Sequence, residues 1–135
     1  MQIIENVQLP PEEMFARLAD HENLGKALGV PVKRIRDGEG SVNGVGSVRT
    51  MAFWPLDFDE TITAFDPPRR IEYSVSRGSP LRQHSAVILL SPRGAGTEVS
   101  WSVSFASAIP LAGRLLRMVM RLALTHGIRK LAANP

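Results

Sequence analysis

From residue 38 to residue 106 the chain offers only extended segments cut by turn chemistry, and from Pro110 onward it offers only helix. The breaks are Gly38-Glu39-Gly40, Asn43-Gly44, Asp66-Pro67-Pro68, Gly78-Ser79-Pro80 and Pro92-Arg93-Gly94-Ala95-Gly96, where glycine supplies positive φ and proline removes a donor. They delimit five strands near Ser47–Trp54, Asp57–Phe65, Arg70–Arg77, Arg82–Leu90 and Thr97–Ala106. No helical pattern lies between them to make a parallel crossover, so they should pair as an antiparallel meander.

Pro110 suits the first turn of a helix, and the pattern continues to about Ala132. Arg114, Arg117, Arg121 and Thr125 mark its wet face and leave Ala112, Leu116, Val119, Met120, Ala123 and Gly127 opposite. A helix this apolar must lie against the sheet. Small residues on its buried face leave volume that is either filled by larger neighbours or kept open as a cavity. Arg114, Arg117, Arg121 and Arg129 are expected to form a solvated face, with attraction to an anionic membrane surface or partner as the alternative.

Upstream, Gln2 to Leu9 places Ile3, Glu5, Val7 and Leu9 on one side of a first strand, which Pro10-Pro11 ends. Two short helices are expected next. Glu12 and Glu13 favour the start of one over Pro11–Ala19, and Asp20 caps a second over His21–Leu28, closed by Gly29. An extended Val32–Asp37 follows, so the fold class is α+β with about seven strands.

A chain of 135 residues with 44% hydrophobic content supports one domain over 1–135. The absence of cysteine excludes disulfides, thiolate nucleophiles and the usual structural zinc sites. The start, Met1-Gln2-Ile3-Ile4-Glu5, has no secretion-signal pattern, so the expected location is cytoplasmic. Arg114, Arg117 and Arg121 interrupt the longest apolar region, Ile109 to Leu124, so no integral membrane segment is expected. The net charge of +3 is spread over scattered arginines without neighbouring exposed aromatics, so no nucleic acid partner is expected.

Other chemistries fail on spacing. His21-Glu22-Asn23-Leu24-Gly25 has glycine where a zinc protease motif needs its second histidine, and three dispersed histidines imply no metal. Gly44-Val45-Gly46 enters a strand rather than a helix, so it offers no phosphate a helix N-terminus. No serine sits in a Gly-x-Ser-x-Gly elbow. No cofactor is implied.

Three segments carry a family resemblance: Gly44-Val45-Gly46-Ser47-Val48-Arg49, Glu60-Thr61-Ile62 leading to Asp66-Pro67-Pro68-Arg69-Arg70-Ile71-Glu72-Tyr73, and Gly96-Thr97-Glu98-Val99-Ser100-Trp101. In this order the chain resembles the helix-grip fold of the START/Bet v 1-like (SRPBCC) superfamily, specifically its bacterial polyketide cyclase/dehydrase-like branch, over essentially its whole length. The resemblance implies a curved antiparallel sheet wrapped around a long C-terminal helix, enclosing a hydrophobic cavity for an apolar ligand such as a lipid or polyketide. Similarity to the plant hormone receptors of the superfamily points to Arg49, Met51, Phe53, Glu60, Ile62 and His84 as pocket residues. The receptors' gating loop has no counterpart in Phe53-Trp54-Pro55-Leu56-Asp57, so hormone sensing is not implied.

Strand parity tests that set. Glu60 shares a face with Ile62 and Ala64, and His84 with Ala86, Ile88 and Leu90. Tyr73 and Trp101 also face inward, so the expected ligand-binding residues are Arg49, Met51, Phe53, Glu60, Ile62, Tyr73, His84 and Trp101 from the sheet and Val119, Met120, Ala123 and Gly127 from the helix.

Glu60 and His84, facing one apolar cavity, are the candidate catalytic acid–base pair, because desolvation moves both groups toward neutrality. The alternative is structural: Glu60 paired with Arg49 in a buried ion pair, and His84 near a pocket rim bonded to backbone or water. Three functions follow. The first is binding or carriage of a small apolar or amphipathic molecule, with Glu60, Arg49 and His84 orienting its polar end. The others are a cyclase, dehydratase or isomerase using Glu60 or His84, and a ligand-free interaction module. The chain is expected to be a monomer or homodimer.

Overall fold

A computed structural model describes residues 1–53, 56–78, 82–106 and 110–133, and the side chains of these except at 53, 56, 82, 106 and 110–113. The chain runs β1 (Gln2–Val7), α1 (Pro11–Ala19), α2 (His21–Leu28), β2 (Val32–Arg36), β3 (Val48–Phe53), β4 (Leu56–Asp66), β5 (Arg70–Arg77), β6 (Arg82–Arg93), β7 (Gly96–Ala106) and α3 (Pro110–Ala133). The strands form one antiparallel sheet in the order β1-β7-β6-β5-β4-β3-β2. This is an α+β helix-grip fold: a curved meander whose far edge is closed by the first strand, with all helices on the concave side.

Local chemistry sets the corners. Asp20 accepts a hydrogen bond from the Asn23 backbone N–H at 3.0 Å, and Gly29 ends α2 at φ 75°. Gly96 lies where an added Cβ would meet the Val7 carbonyl oxygen at 2.2 Å, so glycine is what lets β1 close on β7. The adjacent Thr97 hydroxyl donates to the Leu9 carbonyl at 2.7 Å and holds the chain as it leaves β1. The Gly-Thr pair therefore stitches the strand that closes the sheet.

The core lies between sheet and helices. Ile3, Met14, Leu18, Leu24, Ile62, Ile88, Val99, Trp101 and Ile128 are almost wholly buried. Burying each large side chain contributes roughly 1.5–3 kcal/mol, which offsets the chain entropy lost on folding.

Three local expectations need correction. β6 runs on to Arg93 instead of ending near Leu90, because β5 pairs only as far as Leu89 and residues 91–93 pair with β7 alone. Pro92, which lacks an N–H, sits where no ladder bond to β5 is required. In β4 an irregularity between Ile62 and Ala64 shifts the register, pairing Phe65 with Ile71. Phe65 thereby meets Phe15 edge-on at 5.2 Å, so simple alternation through Ala64 misplaces this end.

The third correction concerns α3. Among its described side chains the buried residues, Leu124, Gly127, Ile128 and Leu131, fall in its C-terminal half and pack against α2, β1 and α1 rather than across the sheet. Val119, expected on the inner face, is 45% exposed, because the N-terminal half stands off from the core. Trp54, Pro55, Ser79 and Pro80 of the expected connections lie outside the described residues. Among the described residues no helix is long and apolar enough to cross a membrane.

Candidate functional site

The space beneath the N-terminal half of α3 is a cavity of about 410 Å³. β3 contributes Arg49 and Met51, β4 Phe58 and Glu60, β5 Tyr73, β6 His84 and β7 Trp101. Leu24, Leu28, Gly29 and Val30 close the α2 end, and Leu116, Val119, Met120, Ala123 and Leu124 of α3 form the roof. The volume falls in the range of small-molecule sites, roughly 300–1,000 Å³. A more open groove of about 520 Å³ lies beside Met1, Ser104 and Arg117. Its charged groups among the described residues are both engaged: Arg117 is stacked over Phe105 at 5.4 Å and the Met1 ammonium donates to the Val103 carbonyl at 3.0 Å, so that groove carries little chemistry.

Of the expected pocket residues, Arg49, Met51, Glu60, Tyr73, His84, Trp101, Val119, Met120 and Ala123 line the cavity. Ile62 does not: it is 2% exposed within the solid core, one pleat beyond Glu60. Gly127 is likewise removed, because its small size serves a helix contact. A Cβ there would stand 2.8 Å from Leu28 Cδ2. The side chains of Phe53 and Ala112 lie outside the described residues. Sequence reading missed the α2 wall and Phe58. Phe58 shares parity with Glu60, which was a usable signal, whereas the approach of Leu24 to Val30 depends on how α2 is docked.

The charged cluster is built on the β3–β4 pair, where Arg49 stands directly opposite Glu60. Arg49 Nε and Nη2 each lie 2.8 Å from Glu60 Oε1, with both side chains almost fully buried. The guanidinium also sits 4.9 Å over the Tyr73 ring, a cation–π contact that covers its free face. Burial pushes the Glu60 carboxyl above the usual carboxylate range, while Arg49 pulls it back toward ionisation.

A histidine that the sequence did not single out completes this cluster. His21, 2% exposed at the start of α2, lies with Nδ1 3.4 Å from Arg49 Nη1 and Nε2 3.0 Å from Ser47 Oγ. A guanidinium can only donate, so Nδ1 is the acceptor and Nε2–H donates to Ser47. Ser47 in turn donates to the Arg36 carbonyl at 3.1 Å. Burial first, and then the Arg49 charge, lower the His21 pKa to about 4, so the ring is neutral at neutral pH.

The opposite wall is different. His84 is 9% exposed, its ring 6.3 Å from Phe58 and 6.2 Å from Phe105, and it has no hydrogen-bond partner among the described residues. Nδ1 is fully enclosed, contrary to the expectation of a rim histidine bonded to backbone or water. Burial alone depresses its pKa and keeps it neutral. Tyr73 accepts a hydrogen bond from Trp101 Nε1 at 3.2 Å, which leaves its own proton available. Burial, reinforced by the Glu60 charge, raises the Tyr73 pKa, so the hydroxyl stays a donor.

An antiparallel sheet gripping a C-terminal helix around one apolar chamber with a small polar inset defines a Bet v 1-like ligand-cavity scaffold. The chain belongs to the polyketide cyclase / dehydrase and lipid transport family, whose sequence model matches residues 5–134, and hence to the SRPBCC superfamily. Among solved structures it is similar to a protein from Nitrosospira multiformis, with 22% identity, a TM-score of 0.74, and 98% of this chain and 96% of that one covered. It is also similar to Ara h 8.0201, with 14% identity, a TM-score of 0.74 and coverage of 99% and 97%. The Aha1 dimer from Colwellia psychrerythraea matches with 14% identity, a TM-score of 0.76 and coverage of 98% and 96%. At these identities the likeness establishes the fold. No curated protein matches the chain.

Proposed function

We propose that the chain binds a small, neutral, predominantly apolar molecule in the cavity under α3. The observation that carries this reading is the division of the polar groups. Arg49 and Glu60 satisfy each other, whereas His84 has no partner among the described residues and Tyr73 retains a free proton. The Tyr73 hydroxyl can donate that proton to a ligand oxygen or nitrogen, while the His84 ring gives the same chamber a neutral wall. An anionic head group gains little, because Arg49, the one cation in the wall among the described residues, is already neutralised by Glu60.

The acid–base reading of Glu60 and His84 is the weaker one. Arg49 holds Glu60 Oε1 and favours the ionised carboxylate, so a proton taken up by Glu60 would weaken the buried ion pair, and neutral His84 is the other group able to take one. The family description includes both enzymes and lipid transport, so it accommodates either.

Native mass spectrometry of freshly purified protein tests the binding reading. Retained cellular ligand, released on denaturation, is the expected result. A clean apo mass together with no uptake of the neutral apolar fluorophore N-phenyl-1-naphthylamine overturns it.

A further inference from the structure

We infer that the outward face of α3 docks on an anionic lipid bilayer. Leu115, Met118, Val119 and Leu122 recur at helical spacing and form an apolar stripe two turns long, with Leu115 61% and Leu122 67% exposed. Four large apolar side chains on one helix face are more than the scattered single exposures of an ordinary surface.

Charge identifies what covers the stripe. Arg114, Arg117 and Arg121 line one edge and are exposed, and Lys130 continues along the helix beside Arg129, which is paired with Glu5 at 3.2 Å. α3 contains no aspartate or glutamate. Arg121 donates to the Gln2 carbonyl at 3.2 Å and Arg117 rests on Phe105, so both stems lie along the helix edge beside the stripe. An apolar face edged by cations is the pattern of a helix lying in a membrane interface, with its apolar side chains among acyl chains and its arginines against anionic head groups. A second copy packed antiparallel on this face fits poorly, because that two-fold contact would bring the two arginine rows together.

The stripe is continuous with the cavity roof. Val119 belongs to both, and Leu116, Met120 and Ala123 follow on the cavity side. Docking therefore sets the roof of the cavity against the hydrocarbon layer. If the cavity binds an apolar molecule as proposed above, this is where it exchanges with a membrane.

Co-sedimentation of the full chain with phosphatidylcholine vesicles, with and without phosphatidylglycerol, tests the inference. Binding is expected only to the vesicles containing phosphatidylglycerol and should fall as salt is raised. Leu115→Gln/Leu122→Gln should lose at least about tenfold in partitioning. Arg114→Gln/Arg121→Gln should lose roughly tenfold or more, with a flatter salt dependence. All four sites are exposed, and an unchanged circular dichroism melt confirms that the variants fold. Equal binding to both vesicle types, no binding to either, or leucine variants that bind like the parent each overturn it. So does a dimer in sedimentation velocity that the leucine substitutions dissolve. Ligand retention is read separately by native mass, so a chain that docks but carries nothing refutes the cavity proposal and leaves this one standing.

Discussion

Arg49 and Glu60 face each other across the β3–β4 ladder and share two 2.8 Å contacts to a single carboxylate oxygen inside a largely apolar chamber. Removing one partner strands the other charge in a buried site. Arg49→Met and Glu60→Leu should each cost about 3–5 kcal/mol, and the double variant should cost less than either single change. Urea melts of all four proteins measure this. Additive losses would show that the two groups are stabilised independently.

His84→Phe keeps a ring between Phe58 and Phe105 and removes the nitrogen that has no partner. The variant should be more stable by about 1 kcal/mol and should hold a polar-ended ligand less well. Thermal denaturation and native mass spectrometry on the same sample check both halves. A loss of stability would mean that the imidazole is satisfied after all.

His21 makes stability depend on pH. Its folded pKa of about 4 lies below the unfolded value of 6.5, so between these the unfolded chain binds the extra proton. Stability is therefore full above pH 6.5 and falls as pH drops toward 4, by roughly 2–3 kcal/mol from this group. His21→Gln should flatten the upper part of that window, where carboxylates have not begun to titrate. Urea midpoints measured across the window decide it.

Ala123 lies in the cavity roof, on the part of α3 that stands off from the sheet. Ala123→Phe fills the chamber from above, so uptake of an apolar fluorophore should fall by about tenfold or more while the melting temperature stays within a few degrees. Unchanged uptake would place the binding site elsewhere.

Gly96→Ala should destabilise by about 1–3 kcal/mol, because the new methyl would collide with backbone at Val7, which cannot rotate away. Hydrogen exchange should show the loss first in β1. Uniform exchange across the sheet would argue against a local clash.

Much of the architecture was legible in local pattern. Glycine and proline clusters mark corners wherever they stand, and alternation sends Tyr73, His84 and Trp101 to one face because side chains along a strand alternate whatever the rest of the molecule does. The two short helices and the long one follow from their prolines, caps and periodicity. Alternation failed only where the β4 register shifts, since the extra residue depends on the partner strand and leaves no mark in composition.

Tertiary structure decided the rest, because it rests on distances between segments far apart in the chain. His21 looks like an ordinary first-turn residue until α2 is laid against β3, where it meets Arg49 and Ser47. Gly127 reads as a roof residue until Leu28 is found 2.8 Å from where its Cβ would be. The inner pattern of α3 runs its whole length, yet among its described side chains the buried ones lie in the C-terminal half. Periodicity says which way a side chain points, and only the docked helix says how far away the opposing wall stands. That separation is what leaves a cavity of about 410 Å³ and an exposed apolar stripe at its edge.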